Sequence, residues 1–182
     1  MSCDISNGVA EPCKSAVGGL DAIYIIIYGD YTASDITYNV TNTDQIDDIN
    51  GVASIYKFEL KGANSFEQTI TSSRDNGTTF VEQTLTVNLK QQSAAKTKLV
   101  KLLSYGRPHI IVRTRAAQYF LAGLERGLDL TTGVISNGTA MGDMNGYTLT
   151  FVGQENIPAN HLNCSTEAGL ITVMSSATIV TA

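Results

Sequence analysis

The sequence predicts a mainly β fold: a β-barrel or sandwich of roughly eight antiparallel strands with one flanking α-helix over residues 94–104. Three observations carry this. Val81, Gln83, Leu85, Val87 and Leu89 alternate with Glu82, Thr84, Thr86 and Asn88, the period of a strand with one buried face. Asn76-Gly77 lies between that run and residues 66–73, and these two residue types tolerate the positive φ of a two-residue hairpin turn. Only one stretch, residues 94–104, combines a good N-cap, Ser93, with apolar residues at helical spacing.

The elements follow in chain order. Residues 1–19 hold Pro12 and Gly18-Gly19 with little pattern and read as an arm that orders against something else. The domain proper is expected over 20–160. Its first strand, 20–28, contains Ala22-Ile23-Tyr24-Ile25-Ile26-Ile27-Tyr28, too short to span a bilayer as a helix. A second extended piece is expected at 35–40. The polar stretch 41–51 reads as a loop with a short helical turn at 44–49. Residues 55–61 form a strand with Ile55, Lys57 and Glu59 on one face and Tyr56, Phe58 and Leu60 on the other.

The long hairpin 66–89 comes next, then the helix. Leu99, Val100, Leu102 and Leu103 form its apolar stripe, with Lys96, Lys98 and Lys101 toward solvent. Lysines late in the helix suit its negative end, and Gly106 and Pro108 stop it. Residues 109–115 and 118–123 make a second hairpin across Ala116-Ala117. Two more strands, 128–136 and 147–152, flank a glycine-rich connection. That connection lacks the Gly-Lys-Ser/Thr ending of a phosphate loop and precedes a strand, which favours a plain linker. The tail, 161–182, is apolar and β-prone. It is either paired within the domain or added to the sheet edge of a neighbour.

Composition bounds the function. The chain has 182 residues, 43% hydrophobic and 16% charged, with net charge −5. The charged fraction is below the roughly 25% of an ordinary soluble domain. Thr, Ser, Asn and Gly replace the charges, and uncharged polar groups cost less to desolvate against a neighbour. Acids crowd the first fifty residues: Asp4, Glu11, Asp21, Asp30, Asp35, Asp44, Asp47 and Asp48 against Lys14 alone. An acidic chain does not grip nucleic acid by its phosphates, although it can let DNA slide past.

No catalytic or metal-binding constellation stands out. Cys3, Cys13 and Cys164 are odd in number and lack metal spacing. A Cys3–Cys13 bridge needs an oxidising setting; free thiols suit synthesis in a cytoplasm, which the absence of a signal-peptide pattern favours. His109 and His161 have no nucleophile nearby in sequence. Glu59, Glu67 and Glu82 could form a glycosidase-like acid pair, but the chain has no Trp for a sugar platform. Their other reading is a solvated sheet face, or the negative wall of a channel made by a ring of subunits. No cofactor or metal site is expected.

Several segments together resemble a known family. These are Glu11-Pro12-Cys13-Lys14 with Gly18-Gly19, Tyr56-Lys57-Phe58-Glu59-Leu60-Lys61-Gly62, Phe66-Glu67-Gln68 with Ser72-Ser73-Arg74-Asp75-Asn76-Gly77-Thr78, Gly106-Arg107-Pro108, Leu121-Ala122-Gly123-Leu124-Glu125-Arg126-Gly127, and Thr139-Ala140-Met141-Gly142-Asp143. Over about residues 3–162 the chain resembles tail tube proteins, virion structural proteins of tailed phages that infect Bacteroidota. The resemblance implies a β-barrel or sandwich that forms six-membered rings, stacked into a tube that conducts DNA through an acidic lumen. It implies contacts between rings through the long hairpin, with its turn Arg74, Asp75, Asn76 and Gly77, and through the termini. It implies partners that are other copies, other virion tail proteins and passing DNA, no membrane, and a place in the virion tail after synthesis in the host bacterial cytoplasm. The acids expected in the lumen are among Glu59, Glu67, Glu82, Asp44, Asp47 and Asp48. Two other readings compete: a head-decoration, neck or ring protein of the virion, and a β-sandwich hydrolase.

Overall fold

Alternation and two kinds of sheet edge organise the molecule. The structure, a computed structural model, describes residues 8–11, 13–14, 17–175 and 177–181. Among them are twelve strands and two α-helices: β1 Leu20–Ile26, β2 Ile36–Tyr38, β3 Gln45–Ile49, β4 Ser54–Glu59, β5 Ser65–Ser73, β6 Thr78–Lys90, α1 Ala94–Tyr105, β7 His109–Thr114, β8 Tyr119–Ala122, β9 Asp129–Ser136, β10 Gly146–Glu155, β11 Asn160–Leu162, α2 Glu167–Val173 and β12 Thr178–Val180. A large sheet runs β12-β4-β1-β7-β8-β11-β3-β2, and a small sheet runs β5-β6-β10-β9. The fold is mainly β, as the alternation predicts, but the sheets do not close into a barrel. The strand count exceeds expectation because four of the twelve are three-residue or four-residue pieces, too short to show a period.

Two cores result. Each face of the large sheet is covered, which is why β1 from Ala22 to Ile26 and β7 from Ile110 to Val112 are continuous apolar runs. On one face Tyr24, Ile26, Ile46, Ile49, Ile55, Ile111 and Leu121 pack with Leu170, Val173 and Met174 from α2 and the turn after it. On the other, Ile23, Ile110, Val112 and Leu128 meet the inward residues of the small sheet, Leu85, Val87, Leu89, Tyr147, Leu149 and Phe151, with Val100 of α1. Complete burial of each such side chain contributes about 1.5–3 kcal/mol before entropy is counted. The inward face of β6 is the one its alternation names.

Four expectations need correction. Residues 45–49 form strand β3, not a helical turn. Ile46 and Ile49 are spaced three apart, as on a helix, but the register against β2 slips at Asp47, and this bulge turns both isoleucines to the core. The hairpin between β5 and β6 closes at the pair Ser73↔Thr78 through a four-residue loop, Arg74 to Gly77. Only Gly77 has positive φ (62°), so Asn76 does not build a two-residue turn. In α1 the predicted cap holds, with the Ser93 hydroxyl accepting from the Lys96 amide at 3.2 Å. The apolar stripe holds in part: Val100 is buried and Leu103 packs half-buried against the core, whereas Leu99 and Leu102 face solvent. The helix also has no basic residue in its last turn, and Gly106 ends it in extended backbone.

The fourth correction is the tail. It pairs within the domain and adds a second helix to a stretch read as wholly β-prone. Thr166 caps α2 by accepting from the Gly169 amide at 3.1 Å, and Glu167 stands in the first turn. β11 joins β8 to β3, and β12 runs parallel to β4. Gly169 leaves room beside Cys164, whose Cβ would lie 3.1 Å from a side chain there. For the N-terminal arm, residues 8–11, 13, 14 and 17–19 are exposed; the rest of it, Cys3 included, lies outside the described residues.

Candidate assembly surface

The large sheet ends at each side in a three-residue strand, β2 and β12. The small sheet ends in β5 and β9, nine and eight residues long. Neither long edge carries Lys, Arg or Pro, the residues that usually blunt an open edge. Among the described residues, no strand pairs with the outer side of either. Both are largely exposed and show apolar side chains to solvent: Ile70 on β5 (64%), Val134 (52%) and Ile135 (53%) on β9.

Register fixes which acids share a face. Glu67 lies opposite Thr84, and Glu82 opposite Thr69. The two glutamates are therefore diagonal neighbours, about 7–8 Å apart by strand geometry. Both stand on the outward face of the small sheet, since the alternate residues of β6 fill the core. Asp129, opposite the outward Val152, joins them, a residue the sequence reading does not single out. Thr84, Thr86, Asn88, Thr148, Thr150 and Gln154 complete a face whose base is Lys90 at one end.

The other candidate acids lie elsewhere. Glu59 is on the α2 side of the large sheet, 3.6 Å from the Lys57 ammonium. Lys57 also bonds Glu167 at 2.9 Å, and that carboxylate holds the Lys57 pKa above its ordinary value. Asp47 accepts from Asn39 (3.0 Å) and Asn163 (2.9 Å), and Asp48 from the Ser175 hydroxyl (3.0 Å), so both tie β3 to its surroundings. Asp44 is exposed beside them, and its carbonyl accepts from Asn160 at 3.0 Å. Arg74, Asp75, Asn76 and Gly77 are exposed at the tip of the hairpin.

Three buried polar groups take structural roles that the sequence does not assign to them. Gln83 sits in the apolar alternation of β6 and is wholly buried, its Oε1 accepting from the Gly123 amide at 2.8 Å. Glu155, 1% exposed, accepts from the amides of Glu125 (3.0 Å) and Arg126 (2.8 Å). The His109 Nδ1 donates to the Gly123 carbonyl, and its ring lies against Tyr28 and Tyr31. Together with the Tyr31 hydroxyl on the Leu124 carbonyl (3.0 Å), they clamp the 123–127 turn. The only available signal was a polar residue at an inward position, plain for Gln83 and hidden for Glu155 at a strand end.

Among the described residues, no group of His, Cys, Asp and Glu is placed to hold a metal ion, and no helix is long and apolar enough to cross a membrane. Comparison with protein-family models, with curated proteins and with solved structures gives no match.

Proposed function

We propose that this chain is a structural protein that assembles edge to edge into rings and, by stacking, into a tail tube of a phage virion. The observation that carries the reading is the contrast between the three-residue edges of the large sheet and the long edges β5 and β9 of the small one, whose only charges are Glu67 and Asp129. β5 of one copy against β9 of the next is a head-to-tail contact, which closes into a ring when the rotation closes and winds into a filament when it does not. Such pairing satisfies the open backbone groups and covers Ile70, Val134 and Ile135.

A ring built on the small sheet has one wall face left over. The inward face fills the core, so the outward face lines the bore. This narrows the lumen acids to Glu67 and Glu82, with Asp129 added; Glu59, Asp44, Asp47 and Asp48 fall outside it. Repeated around a ring, these carboxylates repel a polyanion over about 8 Å at physiological salt, so DNA passes without sticking. The resemblance described above supplies the virion context and the six-fold ring.

Negative-stain images of the purified protein test the reading. Long tubes of uniform bore are expected. Isolated single rings would instead favour a neck or decoration role. A chain that stays monomeric at high concentration would overturn self-assembly.

A further inference from the structure

Two exposed patches of opposite charge remain unused by edge pairing. The first is the outer side of α1, where Leu99 (40%), Leu102 (57%) and Tyr105 (79%) stand in solvent at three-residue intervals among Lys98 and Lys101. From residue 83 to 124 the chain carries Lys90, Lys96, Lys98, Lys101, Arg107, Arg113 and Arg115 and no acid. The second is a cleft of about 400 Å³ lined by Tyr28, Tyr31, Ile36, Tyr38, Leu124 and Glu125. From residue 15 to 56 the chain carries Asp21, Asp30, Asp35, Asp44, Asp47 and Asp48 and no Lys or Arg.

The cleft already accepts cations at its margin. The guanidinium of Arg107 sits 4.3 Å from the centre of the Tyr28 ring. Burial first, then the charges of Glu125 and Asp44, hold the Tyr38 hydroxyl above its ordinary pKa, so the negative field reaches the cleft wall. No residue of α1 lines the cleft of its own chain.

We propose that α1 of one copy docks by Leu99, Leu102 and Tyr105 into the tyrosine cleft of a second copy, with Lys98 and Lys101 toward its Asp30, Asp35 and Glu125. An apolar stripe meets an aromatic hollow, and the lysines of a helix without acids meet the carboxylates of Asp30, Asp35 and Glu125, on a rim that also holds Arg107. Different patches meet, so the contact is head to tail and can repeat from copy to copy. It uses neither β5 nor β9, and it stands or falls apart from edge pairing.

Cross-linking tests it. In a chain whose own cysteines are replaced by serine, Leu102→Cys and Tyr38→Cys copies are mixed and oxidised. A mixed cross-linked pair, well above the yield of either variant alone, is expected. Lys98→Glu with Lys101→Glu should weaken association about tenfold, the worth of two exposed charge pairs, and Asp35→Lys with Glu125→Lys on the other copy should restore it. All these side chains are exposed or at a rim, and circular dichroism checks that each variant folds. A mixture that cross-links no more than its components overturns the contact, even if tubes form. Cross-linking without rings would support it and sink edge pairing alone.

Discussion

Glu155 and His109 are the two titratable groups whose burial sets a pH response. Burial raises the Glu155 carboxyl above its ordinary 4.5, against the lowering effect of its two backbone donors. Its share of stability is therefore fully present below 4.5 and lost as pH rises through the folded value. Burial lowers the His109 imidazole below 6.5, so the unfolded chain binds the proton first. Its effect is loss of stability as pH falls from 6.5 toward the folded value. Urea midpoints for the protein and for Glu155→Gln, followed from pH 7.5 to 4.5, separate the two. The unsubstituted protein should gain on the variant as pH falls; a constant gap would contradict the assignment. Cys164 offers a third check. Burial pushes its thiol up to about 11, so a disulfide reagent at pH 8 should label it many times more slowly in the native state than in urea.

At the scale of elements, the 123–127 turn and α2 matter most. Gly127 has φ of 72°, and a Cβ there would lie 2.3 Å from the Arg107 carbonyl oxygen. Gly127→Ala is expected to cost well over the roughly 1 kcal/mol of a left-handed residue, because backbone must also move. Thermal melts would show it. Leu170, on the inward side of α2, is wholly buried, and Leu170→Ala should cost about 2–5 kcal/mol by denaturant titration. A cost near zero would mean that α2 is not the cover of that core. The hairpin beyond Ile70 touches little, so Arg74→Ala should leave stability within about 0.5 kcal/mol.

For the whole molecule, the expected behaviour is assembly governed by the edges of the small sheet. Thr69→Lys on β5 or Val134→Lys on β9 places a charge on an open edge and should give folded monomers in sedimentation runs. Rings from both variants would remove edge pairing as the driving contact. Glu82→Lys on β6, a strand with a neighbour on each side, changes only the outward face. It should leave rings intact yet make them retain DNA in a filter-binding assay, with retention falling as salt rises. Unaltered retention would show that this face does not line the bore.

Local order fixed much of this in advance. The alternation of β6, the Ser93 cap and the 109–123 hairpin were legible because a side chain's neighbours in sequence decide its face and its cap. What tertiary contact decided lies where the signal is short or broken. The Asp47 bulge disguised β3 as a helical turn, and α2 formed in a β-prone tail because Leu170, Val173 and Met174 close an open core. Pairing between distant segments also decided the assembly surface: β5 and β9 are sheet edges only because β6 and β10 lie between them. Periodicity tells which side of a strand is apolar, but not which strand will be left without a neighbour.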